Sequence, residues 1–141
     1  MAMAEKIQLR LVTSSRLLLD DEVDEVSAPG ALGEFGVLPL HISFLTLLEI
    51  GEMSYRQGSE RRHLAISGGY AEVLDDVMTV LANTAEYADE IETERALRAK
   101  ERAEKKMAEL KDRGDREFLA AEAALRRALV RLRVAGREAG R

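Results

Sequence analysis

Cysteine, histidine and serine decide whether this chain could run catalysis, and they argue against it. Cysteine is absent, which removes thiolate nucleophiles, disulfides and thiolate metal sites together. The two histidines, His41 and His63, have no third ligand at metal spacing, and His63 reads most simply as a sheet residue. No serine stands in a nucleophile elbow, and no Ser-His-Asp order suggests itself. The acidic run Asp20-Asp21-Glu22-Val23-Asp24-Glu25 lacks the spacing and central glycine of a calcium loop, so a solvated turn is expected there. Gly33-Glu34-Phe35-Gly36 and Ser67-Gly68-Gly69-Tyr70 are glycine-rich, yet neither is followed by a helix start that would offer amides to a phosphate. Both are read as tight turns between strands. The chain is expected to bind, not to catalyse, and to need no metal or cofactor.

Arginine is the residue type left with chemistry to do. Arg95, Arg98 and Arg102 lie in one part of the C-terminal half; Arg126, Arg127, Arg131 and Arg133 lie in another. Such side chains are most often solvated and ion-paired on a helix face. Brought together, they would grip a polyanion, either a phosphate group or an acidic protein surface. Spacing along the sequence favours the first of these two readings.

The elements that must position these residues fall into two textures. Over residues 1–88, Ile7-Gln8-Leu9-Arg10-Leu11-Val12 alternates apolar and polar, the period of a half-buried strand. Short β-like runs follow at 23–26, 35–38, 45–50, 53–56, 63–66, 70–74 and 77–81. Turn signals separate them at Asp20-Asp21, Pro29-Gly30, Gly33, Gly51, Gly58, Gly68-Gly69 and Asp75-Asp76. Many short strands at near-regular spacing predict a sandwich or flattened barrel. From residue 89 to 135 there is no proline and one glycine, Gly114, while Ala, Glu, Arg, Lys and Leu dominate. Ala96, Ala99, Ala103, Met107 and Leu110 step by three and four, as do Phe118, Ala121, Leu125, Ala128, Leu132 and Ala135. Asp112-Arg113-Gly114-Asp115 interrupts the pattern, with Gly114 just past the first helix and Asp115 capping the second. The predicted fold is α+β with its parts segregated: an antiparallel β-sandwich over 1–88, then an antiparallel two-helix hairpin over 89–141.

Alanine on the inner faces of that hairpin buries far less apolar area than leucine would, at about 25 cal/mol per Å². The helices should hold each other lightly while each keeps its own helicity. Laid end to end, about 45 helical residues would reach on the order of 70 Å. Charge divides at the same point. Residues 1–88 carry 6 basic and 14 acidic side chains, net −8; residues 89–141 carry 15 and 12, net +3. That asymmetry suggests two surfaces with different partners. Nucleic acid is a poor match, because acids dilute the basic half and Phe118 is its one aromatic. No apolar run is long enough to span a bilayer, and residues 1–10 carry no signal-peptide core, so a soluble protein, able to dock on a membrane complex, is expected.

Four stretches together resemble one family, the epsilon subunit of bacterial F-type ATP synthase. They are Gly33-Glu34-Phe35-Gly36-Val37-Leu38-Pro39-Leu40-His41, matching a G-x-x-G-x-x-P-x-H bend; Leu64-Ala65-Ile66-Ser67-Gly68-Gly69-Tyr70-Ala71-Glu72-Val73; Val80-Leu81-Ala82-Asn83-Thr84-Ala85-Glu86; and Ala124-Leu125-Arg126-Arg127-Ala128-Leu129-Val130-Arg131-Leu132-Arg133-Val134-Ala135. The resemblance implies a non-catalytic rotor subunit at the cytoplasmic face of the bacterial plasma membrane. Its sandwich would grip the gamma subunit of the stalk and rest on the membrane c-ring of a proton-translocating synthase, with Glu34 and His41 at that contact. Its helical arm would fold against the sandwich or extend toward the catalytic alpha and beta subunits and block ATP hydrolysis. Some relatives bind ATP as a regulatory ligand through an I-D-x-x-R-A motif; here the place reads Ile91-Glu92-Thr93-Glu94-Arg95-Ala96. Glu86, Arg102, Arg127 and Arg131 fall where other nucleotide contacts lie in those relatives. Glu92 adds a methylene to the acceptor and Ala120 stands where an arginine is found, which implies weaker binding or none. Leu40 and Ser43 replace a glycine and a proline common around the bend histidine. An ATP-sensing module and a coiled-coil adaptor with a β head are the competing functional classes.

Overall fold

A computed structural model of the chain describes residues 5–40, 43–110 and 112–139, with no side-chain description beyond Arg137. Eight strands precede a short 3-10 turn and two helices among these residues. The strands are β1 (Ile7–Val12), β2 (Leu17–Val23), β3 (Glu25–Gly30), β4 (Gly33–Val37), β5 (Phe44–Gln57), β6 (Glu60–Leu74), β7 (Val77–Ala82) and β8 (Ala85–Tyr87). The 3-10 turn is Ala88–Glu90; α1 is Thr93–Glu109 and α2 is Arg116–Ala139. Strand order is β2-β1-β7-β6-β5-β3-β4, with β8 on β6; every pairing is antiparallel except β1 with β7.

Two expected turns are not turns. The runs read as 45–50 and 53–56 are one strand, β5, and those read as 63–66 and 70–74 are one strand, β6. The glycines between them mark a change of phase. In β5 the buried positions pass from Leu48 to Gly51, Met53 and Tyr55, and in β6 from Leu64 and Ile66 to Ala71 and Val73. At that point β6 exchanges one neighbour for another, pairing with β8 over 64–66 and with β7 over 69–74. One end of the long hairpin thus serves the layer of β7, β1 and β2, and the other serves the layer of β3, β4 and β8. Gly69 permits the change: its φ is +129°, and a Cβ there would stand 2.0 Å from the Leu81 carbonyl oxygen.

Other boundaries also move. Asp20-Asp21 lies inside β2, because Gln8 Nε2 donates to Asp20 and the β1 ladder carries the backbone through. The 23–26 run straddles the end of β2 and the start of β3. Pro29-Gly30 ends β3, and the chain turns at Ala31-Leu32 between the paired Gly30 and Gly33. The turns at Gly58 and at Asp75-Asp76 stand as expected; both aspartates have positive φ, as a two-residue hairpin requires. Strand β8 was too short and too polar to register as a period-2 run.

The helices pack in a sequence of layers, sandwich then α2 then α1. Ala96 and Ala103 of α1 are buried against Phe118, Ala121 and Ala128 of α2, the stripe expected from the spacing. A second apolar strip, Val130 and Val134, faces away from α1 and packs on Ala65, Ala88 and Ile91. Asp115 caps α2, its Oδ1 accepting from the Glu117 amide at 3.2 Å. Helix α1 stops earlier than Gly114 implies, at Glu109 with Leu110 as its cap, so Gly114 belongs to the connecting turn.

Candidate functional site

The alanine faces leave a cleft of about 1050 Å³ between α1, α2 and the end of β8. Ala99, Ala103, Ala120, Ala121, Ala124 and Ala128 form its apolar wall. Glu86, Arg95, Arg102, Arg127 and Arg131 line the rest, with Lys106, Glu117 and Thr84. Small side chains keep the helices close enough to pair yet leave room at the rim for long cations. Inside the cleft Arg131 already has a carboxylate: its Nε and Nη2 donate to Glu86 at 2.7 and 3.2 Å. A nucleotide phosphate would have to compete with that bidentate pair.

Five of the eight residues matched to nucleotide contacts therefore meet in one cleft. The other three do not line it. Ile91 is buried with Val130 and Val134 under the helix, where it fixes the root of the arm. Glu92 is the exposed N-terminal cap of α1, making no side-chain capping bond. Ala96 is fully buried between the helices.

Across the Val130–Val134 strip from this cleft lies a second polar contact that spacing alone did not reveal. Glu52 of β5 accepts from Arg137 Nε and Nη2 at 2.9 and 3.0 Å, and Arg133 Nε stands 3.8 Å away. His63 Nδ1, on the neighbouring β6, lies 3.0 Å from the same carboxylate. Burial would raise the Glu52 pKa, but the Arg137 hydrogen bonds and charge, with His63, outweigh it and hold the carboxyl below its ordinary range. His63 is a sheet residue as expected, and it also braces Glu52.

The root of the arm is tied down separately. Arg16, in the β1–β2 turn, donates to both oxygens of Glu90 at 2.8 Å, and Glu90 Oε1 accepts from the Tyr87 amide. The Tyr55 and Tyr87 hydroxyls are 2.8 Å apart, and Arg62 sits 4.4 Å over the Tyr87 ring. Burial raises the Tyr55 pKa, so this hydroxyl stays protonated.

The opposite layer presents a bare surface. Leu17, Val12, Leu81, Tyr70 and Leu47 are successive cross-strand partners over β2, β1, β7, β6 and β5. All but Val12 are more than half exposed, and Leu45 and Leu74 flank the row. At ordinary strand spacing it runs about 19 Å across the sheet. The row was hidden in the sequence because each strand contributes one or two of its members.

Glu34 is exposed on β4, where Ser27 Oγ donates to it at 2.7 Å. His41 lies outside the described residues. Leu40, at the preceding bend, has φ +67°, a conformation that favours glycine, and its amide donates to Asp76. The end of the acidic run is ion-paired: Asp24 pairs with Lys6 and Arg56, and Glu25 with Arg61 and Arg56. No group of three or more metal-ligating side chains occurs among the described residues.

The sequence pattern of the ATP synthase delta/epsilon chain β-sandwich domain matches residues 6–88, and that of the delta/epsilon chain long α-helix domain matches 89–136. The ATP synthase epsilon chain of Syntrophobacter fumaroxidans is 56% identical over 133 residues, 94% of this chain and 98% of its own length. That of Geobacter sulfurreducens is 52% identical over 137 residues, 97% and 99% of the two chains. A chain in the cryo-EM structure of Euglena gracilis mitochondrial ATP synthase shares the fold, with a TM-score of 0.79 at 24% identity over 96% of this chain and 82% of that one. Two matched domains, running through the chain in order, and relatives this similar over their full length place it in one family: the chain belongs to the ATP synthase delta/epsilon chains, as an epsilon subunit of an F-type synthase, an accessory subunit and not a catalytic one.

Proposed function

We propose that the chain is a central-stalk subunit that couples the gamma subunit to the c-ring of a proton-translocating F-type synthase and restrains ATP hydrolysis with its helical arm. The sandwich, residues 1–88, is the fixed part; residues 89–141 are the mobile part. The observation that carries this reading is the apolar row Leu17–Val12–Leu81–Tyr70–Leu47, left bare on the layer opposite the one that carries the arm. A bare apolar row of this size marks a protein-binding surface, and gamma is the partner that the family supplies. Glu34, exposed on β4, and His41 would meet the ring. No helix of the described residues is long and apolar enough to cross a membrane, which suits attachment through partners at the cytoplasmic face of the bacterial plasma membrane.

The arm suits a switch because its apolar contacts with the sandwich are few. It rests on the sandwich through Ile91, Val130 and Val134, packed on Ala65 and Ala88, and through three bidentate ion pairs, Arg131–Glu86, Arg137–Glu52 and Arg16–Glu90 at its root. Leaving that position exposes arginines for acidic surfaces of the alpha and beta subunits, and the two positions are mutually exclusive. Deleting residues 89–141 is expected to leave assembly and proton-driven synthesis mostly intact and to raise ATP hydrolysis by the complex. Failure of the truncated subunit to assemble would overturn the division of labour.

A second reading, regulation by ATP, is favoured by the convergence of Glu86, Arg95, Arg102, Arg127 and Arg131 on one cleft. ATP there would favour the folded arm only by its differential affinity for the two positions. The expected sign is a thermal shift of the isolated chain that grows with ATP as one-site binding does. No shift at millimolar ATP would remove this reading.

A further inference from the structure

We propose that Glu52 is a nucleotide-independent catch for the arm: a single carboxylate on β5, braced by His63 of β6, that captures Arg137 and Arg133 from the last turns of α2. This rests on the reading above, in which the arm has a second position.

Three observations carry it. The contact joins the two parts of the molecule across a long stretch of chain, Glu52 and Arg137 being 85 positions apart. It also sits where apolar docking has run out. Val134 is the last buried apolar residue described on α2, Ala135 packs half-buried against the same cluster, Gly136 is exposed, and Arg137 then makes the next contact with the sandwich. The final turn of the described side chains is therefore held by charge. Finally, the partners are unequal. The Glu52 side chain is 17% exposed, while those of Arg133 and Arg137 are 54% and 48% exposed. In this docked state the arginines help to cover Glu52; within the sandwich itself the anion is oriented by His63, 3.0 Å away on β6, and an anion so held to meet more solvated cations is the geometry of a receptor site.

The catch is separate from the nucleotide cleft. At 100° per residue, Arg127 and Arg131 fall on one flank of the Val130–Val134 strip, and Arg126, Arg133 and Arg137 on the other. The second flank faces its own cleft of about 670 Å³, bounded by Glu34, Glu49, Glu52 and the β3–β4 hairpin. A nucleotide bound beside Glu86 would not touch Glu52. The folded arm is consequently a resting position held without ligand, and it is sensitive to ionic strength.

The test uses the full-length chain. With no native cysteine, Glu60→Cys and Glu122→Cys place one label on the sandwich and one on α2, and the inter-label distance distribution is read without ATP. The folded arm should dominate at low salt. Glu52→Gln should raise the ratio of released to folded arm about tenfold, the scale of a lost hydrogen-bonded charge pair. Arg137→Ala, a change at an exposed position that leaves the sandwich whole, should do the same, and the swap Glu52→Arg with Arg137→Glu should restore the folded distance. If Glu52→Gln and Arg137→Ala match the parent while Glu86→Gln or high salt releases the arm, the catch is overturned and the mobile arm stands. If no variant and no salt concentration changes the distance, the mobile arm is overturned and the catch with it.

Discussion

Single residues carry the backbone decisions in this molecule. Gly69 is the strictest of them: φ is +129°, and the space a Cβ would need is filled by the backbone of Leu81 and Ala82. Gly69→Ala should therefore lower unfolding stability by about 3 kcal/mol or more, through backbone strain added to the forced separation of β6 and β7. Chemical denaturation of the isolated chain measures it, and a loss below 1 kcal/mol would show that the phase change does not depend on this glycine. Leu40 takes a left-handed conformation without being glycine, held by its amide bond to Asp76. A leucine in that conformation is a local cost the bend carries.

At the scale of elements, the long β5–β6 hairpin organises the rest. Because its inward phase changes midway, the same two strands face the core from both layers and present two different outer surfaces. One receives α2 through Ile50, Glu52 and Ala65, with His63 bracing Glu52; the other carries Leu47 and Tyr70 of the bare row. Leu81 lies at the centre of that row and contributes nothing to the core. Leu81→Lys should change the stability of the isolated chain by no more than about 1 kcal/mol, the span of strand preference. It should nonetheless sharply reduce retention of the subunit by the stalk when the complex is purified. Full retention would mean that the row is not the gripping surface.

For the whole molecule, the question is how tightly the arm belongs to it. The sandwich has a continuous core of eighteen buried residues from Ile7 to Ala85, whereas the arm docks through three, Ile91, Val130 and Val134, on Ala65 and Ala88. Burial on that scale supports the proposal that the sandwich folds alone and the arm exchanges. Loss of the arm on deleting residues 89–141 should accordingly change control of hydrolysis and not assembly. Charge gives the same partition, since the ion pairs Arg131–Glu86 and Arg137–Glu52 join the net-basic arm to the acidic sandwich.

Much of this was readable from residue order alone. Period-2 runs, helix-forming composition and the Asp115 cap are local properties, so β head and helical hairpin follow from neighbours in sequence. Resemblance groups Glu86, Arg95, Arg102, Arg127 and Arg131 with Ile91, Glu92 and Ala96, and the fold brings only the first five to one cleft. Continuity of β5 and β6 was not legible, because glycine interrupts alternation in the same way whether the chain turns or merely changes phase. Neither was the second face of α2: two valines off the main stripe gain meaning only when a sheet lies beneath them. The bare row and the Glu52 catch each require strands or helices far apart in sequence to be set side by side. Local periodicity determined the elements; which long-range surfaces they compose was decided by packing, where register and layer order bring distant side chains to one place.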